Sequence, residues 1–271
     1  MEYHSRYALD WADVGRAAAG GDGDLLWFDR SATSRSPGAA RLMWMGAQLH
    51  TLDEKDGLHS AVVALLQSGL SGFALGHSDV GGYTTLEVPL ARIPRSAAVL
   101  MRWAESSAFS DAVFRTHQGN RPFHNAQPWD SDDLMEHLKW FTKLHQILGA
   151  YRASLMRETK KTGVPVTRPM VLHYASDATA SRLATQFLIG RDLLAVPVMD
   201  RGAGKAHAYL PPGDVWLDVW TTQIAPAQGH GFGGDLAMLP PGTEPGRGAW
   251  VTADAPVGWP AVFIRRGAGA P

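Results

Sequence analysis

The clearest chemical signal in the sequence is a pair of polar side chains that follow a short apolar run. Asp79 comes soon after Phe73–Leu75, and Tyr83 stands just beyond the glycine pair Gly81–Gly82. If the apolar run is a buried β-strand, both side chains lie at its carboxyl end, the edge at which α/β barrels bind ligands. The pattern predicts that Asp79 and Tyr83 belong to a binding site. The alternative is an ordinary strand-to-helix turn, with Asp79 as a cap and the glycines as hinges.

Two other short apolar runs end in a residue of chemical interest. Arg30 follows the predicted buried strand Leu25–Phe28, and His117 follows Ala112–Thr116. An arginine at a strand end offers a planar, permanently charged set of donors that suits a sugar hydroxyl or a carboxylate. The alternatives are a structural ion pair for Arg30 and a hydrogen-bonded core histidine for His117.

Helical patterns alternate with these runs and would position their ends. The predicted helices are Tyr7–Ala19, with apolar positions at Ala8, Trp11, Ala12 and Val14, then Leu58–Leu70, Ala97–Ser107, Asp132–Lys160 and a further candidate, Asp177–Leu188. The segment Leu86–Arg95, which contains Pro89 and Pro94, is predicted to be a loop. From Leu193 onward the sequence consists of short β-type runs separated by frequent Gly and Pro, which is typical of an antiparallel β-sandwich. A long loop is predicted at Gln228–Gly248.

The segment HSDVGGY, residues 77–83, resembles the D-I-G-G-F/Y motif of glycoside hydrolase family 31, the retaining α-glycosidases. Other segments agree with the family in order and approximate spacing: FDRSA, MWMGAQ, FSDAVFRTHQGNRP, GVPVTRP, GRDLLAVPV and YLPPGDVWLDVW. The tyrosine of GGYTT and the segment RTHQGNRP are most similar to the sulfoquinovosidase branch. The resemblance extends over nearly the whole chain.

This resemblance implies roles for individual residues. Arg30 matches the family arginine that contacts the bound sugar, and His117 matches the histidine that hydrogen-bonds the sugar in the −1 subsite. Tyr83 matches the tyrosine that helps to hold the sulfonate in sulfoquinovosidases, although simple hydrophobic packing is the alternative. Trp44 and Gln48 would be wall residues of the same pocket. No metal or cofactor is implied.

Ala47 stands where the family has the aspartate that acts as general acid/base. A methyl group can neither protonate a leaving oxygen nor activate water, so a role that contributes roughly two to four decades of rate is absent there. Asp53, Glu54 and Asp56 are nearby, but their charged run is typical of a solvated face that caps the next helix. The family nucleophile lies on a strand before Leu25–Phe28, so the chain is expected to carry neither catalytic carboxylate.

Composition limits the partners. The chain has 271 residues, 45% hydrophobic residues, a formal net charge of −1 and no cysteine. No basic run exceeds two residues, which argues against a nucleic-acid partner, and no apolar run approaches a membrane span. The charged N-terminal segment is not a signal peptide, so a soluble, cytoplasmic protein is expected.

Alternating strands and helices imply a parallel sheet with outer helices. Four predicted strands, ending at Arg30, Gly46, Asp79 and His117, are half of the eight in a (β/α)8 barrel. Together with the resemblance, this predicts strands five to eight of such a barrel over residues 1–188, followed by an antiparallel β-sandwich over residues 189–271. A half-barrel leaves an unpaired strand edge and uncovered helix faces, which favours association.

Three functions remain open from the sequence. The chain is the C-terminal portion of a retaining α-glycosidase, inactive alone and completed by a separate N-terminal half-barrel, or a degenerate, non-catalytic sugar-binding or assembly partner. An unrelated metal-dependent hydrolase is disfavoured because no His/Asp/Glu group has the spacing of metal ligands.

Overall fold

The computed structural model describes residues 2–20, 25–89, 91–220 and 248–268. The α-helices in these ranges are α1 (Glu2–Ala18), α2 (Leu58–Leu70), α3 (Ala97–Ser110), α4 (Asp132–Ile147) and α5 (Gly149–Thr162). Short 3₁₀ helices cover Ser36–Gly38, Pro122–His124, Met170–Leu172 and Ala180–Arg182. Among the helices described, none is long and apolar enough to cross a bilayer.

The N-terminal part contains a row of short parallel segments. Strands β1 (Met43–Trp44) and β2 (Gly76–His77) pair in parallel. Single parallel bridges extend the row on both sides, joining Asp29 to Met43 and Val80 to Thr116. The predicted parallel arrangement of neighbouring strands, in chain order, is confirmed.

The remaining strands pair in antiparallel fashion. Strands β3 (Leu86–Val88) and β4 (Ala91–Ile93) form a hairpin. The C-terminal strands are β5 (Thr167–Arg168), β6 (Phe187–Ile189), β7 (Leu193–Val196), β8 (Lys205–Leu210), β9 (Trp216–Asp218), β10 (Ala249–Asp254) and β11 (Ala261–Arg265). They form a five-stranded sheet in the order β5-β6-β7-β11-β9 and a separate pair, β8 with β10.

The five-stranded sheet is buried on both faces. Alternate side chains of β6, β7 and β11 join two different apolar clusters, as the two-residue period of a strand requires. One cluster packs the sheet against α2, α3 and α4, with Leu100, Trp103 and Phe141 at its centre. The other packs it against β8 and β10. The C-terminal part is therefore a two-layered antiparallel arrangement, as predicted, and one of its layers packs on the helices of the N-terminal part.

Polar groups of α3 also join the two parts. The guanidinium of Arg102 is paired with Glu105 at 2.8 Å, and both side chains are almost fully buried. Arg102 donates to the carbonyls of Ala203 and Ala255, and Glu105 accepts the backbone N–H of Gly258 at 2.7 Å. These bonds fix the C-terminal part to α3.

Capping residues set several helix ends. The hydroxyl oxygens of Ser96 and Ser131 each accept a backbone N–H from the first turn of α3 and α4. Gly163 ends α5 in the left-handed conformation, with φ of 76°. The prediction for α2 is confirmed from Leu58 to Leu70.

The predicted helical stretch Asp132–Lys160 is confirmed except at Leu148, the single residue that separates α4 from α5. The buried guanidinium of Arg152 donates to the carbonyl of His145 near the end of α4, and also to Ala108 of α3. This side chain provides a donor for a carbonyl at the end of α4.

The candidate helix Asp177–Leu188 is wrong. Asp177 accepts the backbone N–H groups of Thr179 and Ala180 as a helix cap would, but only the short 3₁₀ helix Ala180–Arg182 follows. The side chain of Gln186 then bonds both the N–H and the carbonyl of Tyr209. That pairing holds the chain extended as it enters β6.

Leu86–Arg95 is a hairpin rather than the predicted loop, with Leu86 opposite Ile93. Pro89 lies in the turn and Pro94 lies after the second strand, so neither proline removes a donor from the ladder. Of the predicted loop Gln228–Gly248, residues 228–247 lie outside the described residues.

The predicted buried strand Leu25–Phe28 is wrong. In the described chain the bridge nearest to this segment is made by the next residue, Asp29. The side chains of Leu25, Leu26 and Phe28 are exposed. These residues lie at the outer edge of the parallel row, where no described strand covers them.

The antiparallel sheet begins on the N-terminal side of the predicted domain boundary at residues 188 and 189, since β5 already belongs to it. Where the two parts divide as folding units stays a prediction.

Candidate active site

The row of parallel segments brings the predicted site residues to one edge. Trp44 ends β1, and Arg30 follows the bridge at Asp29. Asp79 lies between β2 and the bridge of Val80 with Thr116, and His117 follows that bridge. Their positions at the carboxyl ends of neighbouring segments follow from the parallel pairing.

Asp79 is fully buried, and a donor engages each of its carboxylate oxygens. The indole N–H of Trp44 donates to Oδ2 at 3.0 Å, and the guanidinium of Arg115 donates to Oδ1 at 2.7 Å. Burial raises the pKa of Asp79, and the Arg115 charge acts against that rise. The carboxylate therefore fixes the orientation of Trp44 and Arg115. Its predicted contact with a substrate stays a prediction.

Aromatic side chains form a wall beside this carboxylate. The ring of Tyr83 stacks on His117 with centroids 4.1 Å apart and meets the edge of Trp44 at 5.7 Å. The guanidinium of Arg30 lies over the Trp44 ring, 5.7 Å from its centroid. Arg30 itself is exposed. Stacked rings with a cation at the edge make a surface that suits a polar ring such as a sugar.

His117 is oriented as a donor. Its Nδ1 accepts the backbone N–H of Gly119 at 2.9 Å, so the hydrogen-bond network assigns the proton of the neutral ring to Nε2. Burial lowers the pKa of His117, and the Asp79 charge acts in the opposite sense. The buried Arg95 donates to the His117 carbonyl and holds this segment in place.

The segment Gly46–Gln48 is bonded to the glycine-hinged motif. The Gln48 carbonyl accepts the backbone N–H groups of Tyr83 and Thr84, both at 2.9 Å. The hydroxyl of Thr84 donates to the Ala47 carbonyl at 3.0 Å. Ala47 therefore has a defined position in the site, with a methyl group where the resemblance expects a carboxylate.

Gln48 is buried, and a hydrogen bond to the backbone orients its side chain. Its amide nitrogen donates to the Met45 carbonyl, while Oε1 has no donor among the residues that the structure describes. Gly46 has φ of 99°, a conformation that favours glycine. A Cβ there would lie 3.7 Å from the Gln48 amide and 3.8 Å from the Arg30 guanidinium, so these two side chains converge at the loop.

A cleft of about 360 Å³ opens beside this wall. Its lining includes Arg30 and Trp44, together with Phe28 and the α1 residues Tyr7 and Trp11. Part of the candidate site is thus formed by residues at the exposed edge of the parallel row.

Arg115 is the site residue that the sequence analysis missed. It lies within RTHQGNRP, where attention fell on the histidine, and its guanidinium bridges Asp79 and the face of Phe28, 5.5 Å from that ring. One feature of the sequence could have indicated Arg115. It lies two residues before His117, and side chains two residues apart lie on the same side of an extended segment.

The nearby acidic residues have local roles. Asp53 accepts the backbone N–H groups of Lys55 and Asp56, and Asp56 accepts that of Leu49. These bonds stabilise the turn before α2. In the described ranges, no three His, Asp or Glu side chains gather in a way that could hold a metal ion.

Two family models match the chain. Residues 1–156 match the glycosyl hydrolases family 31 TIM-barrel domain, and residues 163–268 match the glycosyl hydrolase family 31 C-terminal domain. The chain belongs to glycoside hydrolase family 31. The family resemblance and the fold class drawn from the sequence, part of a (β/α)8 barrel followed by an antiparallel domain, are confirmed.

Among family 31 proteins, sulfoquinovosidases align over almost the whole chain. The sulfoquinovosidase of Escherichia coli is 36% identical over 266 residues, which cover 97% of this chain and 35% of that protein. The sulfoquinovosidase of Agrobacterium fabrum is 34% identical over 265 residues, covering 97% and 36%. Residues of this chain thus correspond to about a third of the length of these relatives.

A solved family 31 structure has the same fold. The sulfoquinovosidase from E. rectale, in complex with an aza-sugar inhibitor, superposes with a TM-score of 0.83 at 31% identity, covering 98% of this chain and 36% of that one.

Proposed function

We propose that this chain is the C-terminal portion of a retaining α-glycosidase of the sulfoquinovosidase type, and that it hydrolyses no glycoside alone. The observation that carries the proposal is the ordered wall of Trp44, Tyr83 and His117 around the Asp79–Arg115 pair, with Ala47 held beside it. This is a recognition surface without its proton-transfer group.

The chemistry explains the expected inactivity. Retaining glycosidases need a nucleophile and an acid/base, with their carboxyl groups about 5 Å apart. Ala47 supplies no proton, and Asp79 has both carboxylate oxygens engaged and no exposed surface. Activity therefore needs a nucleophile from another polypeptide portion and an acid at position 47.

The charge on the wall supports an anionic sugar. The exposed guanidinium of Arg30 lies over the Trp44 ring, whereas the charge of Arg115 is paired with the Asp79 carboxylate, so Arg30 is the cation of the wall that a sulfonate would meet. Arginine is well suited to a sulfonate or carboxylate because it presents several donors in one plane. With the Tyr83 hydroxyl, this favours a sulfoquinovoside over a neutral glucoside.

The test is hydrolysis by the chain co-expressed with the N-terminal portion of the Escherichia coli sulfoquinovosidase. Ala47→Asp is compared with the unmodified chain and with Ala47→Asn, which matches the shape of aspartate but carries no acid. We expect only the aspartate variant to cleave alkyl α-sulfoquinovosides, with a rate at least about a hundredfold above the other two. Aryl glycosides, whose leaving groups need little protonation, should show a smaller difference.

A second candidate function is sugar binding without catalysis, which Ala47 itself favours. Two results together would replace the first proposal with this one. Calorimetry would show that the unmodified assembly binds sulfoquinovose, and a soluble Ala47→Asp assembly would hydrolyse nothing.

A further inference from the structure

A buried carboxyl group outside the candidate site lies beside the strand that leads to Asp79. Asp111 is the residue directly after α3, and it is 2% exposed. The backbone N–H of the next residue, Ala112, donates to the carbonyl of Gly76 at 2.9 Å. The segment that begins at Asp111 therefore runs next to β2, three residues before Asp79.

The carboxyl of Asp111 takes the place of a backbone acceptor beside that strand. The N–H and the hydroxyl of Ser78 both donate to Oδ2, at 3.0 and 3.2 Å, and the hydroxyl of Ser110 donates to Oδ1 at 2.8 Å. The indole N–H of the fully buried Trp103 donates to the Ser78 hydroxyl oxygen at 2.9 Å. A chain of hydrogen bonds thus runs from Trp103 through Ser78 to Asp111, and Ser78 directly precedes Asp79.

A buried cation faces this carboxyl without contacting it. Arg152 of α5 and Asp111 both line a cavity of about 10 Å³, roughly the space of one water molecule. The guanidinium of Arg152 is bonded to backbone carbonyls of α3 and α4, including that of His145 at 2.8 Å. Burial lowers the pKa of Arg152 to about 10, and the charge of Asp111 acts against that change. The two charges therefore attract each other across a gap.

Burial dominates the ionisation of Asp111. It raises the pKa of the carboxyl to about 6, and the bonds from Ser78 and Ser110 act against that rise. The other titratable side chains on the elements packed around it have contacts elsewhere. These are Arg168 of β5, which bonds Glu158, His145 of α4, which packs on Phe114, and His77 of β2, which packs on Phe28.

We propose that Asp111 is a positioning residue of the candidate site, which holds through Ser78 the strand end from which Asp79 reaches Trp44 and Arg115. Its proton decides how firmly that end is held. Hydrogen bonds to an ionised carboxylate are about twice as strong as those to a neutral acceptor. When a proton from solvent joins Oδ1, the Ser110 hydroxyl oxygen accepts it, and Oδ2 remains a weaker, neutral acceptor for Ser78.

The proposal is tested by nuclear magnetic resonance on the full chain, and it needs no hydrolysis. As the pH falls, the amide signal of Ser78 and the indole signal of Trp103 should move upfield together with a midpoint near about 6. The indole signal of Trp44, which donates to Asp79, should follow with the same midpoint. A carboxyl with a merely structural role would leave Trp44 unchanged. Trp103→Phe and Trp44→Phe assign the two indole signals.

Two variants locate the titrating group. Asp111→Asn keeps an oxygen that accepts the Ser78 N–H but has no titrating proton, so all three pH-dependent shifts should disappear. Ser78→Ala removes the hydroxyl between Trp103 and Asp111, so the Trp103 shift should disappear while the amide of residue 78 still titrates. The matched control is Asp53→Asn, which changes another carboxylate that accepts two backbone N–H groups and should preserve all three shifts.

Signals of the folded chain that stay constant between about pH 8 and pH 5 would overturn the proposal. Shifts that persist in Asp111→Asn would also overturn it and assign the titration to Asp79 or His77. Titration at Ser78 and Trp103 without Trp44 would limit Asp111 to a structural role, against the proposal. If Asp111→Asn does not fold, a Trp103 shift that survives in Ser78→Ala would overturn the proposal, and its loss would support it.

Discussion

Helices α1 and α3 both lie beside the parallel segments, yet their surroundings are opposite. In α3, eleven of fourteen residues are buried. In α1, Ala12 alone is buried among the residues whose side chains the structure describes, and the large aromatic residues Tyr3, Tyr7 and Trp11 form an outward-facing stripe. The C-terminal sheet covers α3, whereas no part of the described chain covers the aromatic stripe of α1.

The same contrast holds for charges. Arg102 and Glu105 of α3 are paired with each other and bonded to backbone groups of the C-terminal part. The pair Arg6–Asp10 of α1 is exposed and contacts no other element. The C-terminal part covers one side of the parallel row, whereas no described residue covers the aromatic stripe of α1.

The largest expected difference is between two tryptophan substitutions, one in α3 and one in α1. Trp103→Ala should lower the free energy of unfolding by about 3 to 5 kcal/mol, because this side chain is fully buried and donates to Ser78. Trp11→Ala should change it by less than about 0.5 kcal/mol. Urea unfolding followed by circular dichroism measures both. Equal losses would show that α1 is packed in solution.

A matched pair of arginine substitutions should sharpen the comparison. Arg102→Met leaves Glu105 buried without its partner and should cost about 3 kcal/mol of unfolding free energy. Arg6→Met removes an exposed pair and should cost less than about 1 kcal/mol. The same urea experiment applies, and a small loss for Arg102→Met would contradict the described link between α3 and the C-terminal part.

A smaller effect is expected from acid. Burial lowers the pKa of His145, on α4, to about 4. An unfolded histidine titrates near 6.5, so between these values the unfolded chain binds more protons and stability falls as the pH falls. His145→Leu should reduce the loss of stability between pH 7 and pH 5 by about 1 kcal/mol, since solvent around this half-buried ring screens part of the effect.

The control for that experiment is His4→Leu on α1, which replaces an exposed histidine by the same residue. Equal pH profiles for His145→Leu and the unmodified protein would show that His145 is not buried as a neutral ring.

The sequence predicted the site's framework because local signals and topology agree there. Apolar runs followed by Gly46, Asp79 and His117 indicated parallel strand ends, and the structure places the side chains of Trp44, Asp79 and His117 together there. It did not predict that Arg115 would engage Asp79, since 36 residues separate them and no local pattern encodes that contact.

Predictions failed where a long-range contact overrides a local pattern. The apolar period of Asp132–Lys160 continues through Leu148 and does not indicate the one-residue interruption there, beside which Arg152 bonds to His145 and Ala108. Similarly, the bonding of Gln186 to Tyr209 extends a segment that alone suits a helix. The exposure of Trp11 was not predictable either, because periodicity gives the side of a helix but not which side is covered.

The bonds that Arg102 and Glu105 make across the protein have a consequence for its folding. They join α3 to backbone groups 101 and 153 residues further along the chain. Because this pair is bonded to loop residues of the C-terminal part, detaching that part would expose a buried ion pair and one face of the main apolar cluster at the same moment. We therefore expect the two parts to unfold together, and α1, which shares none of these contacts, to open at a lower free energy.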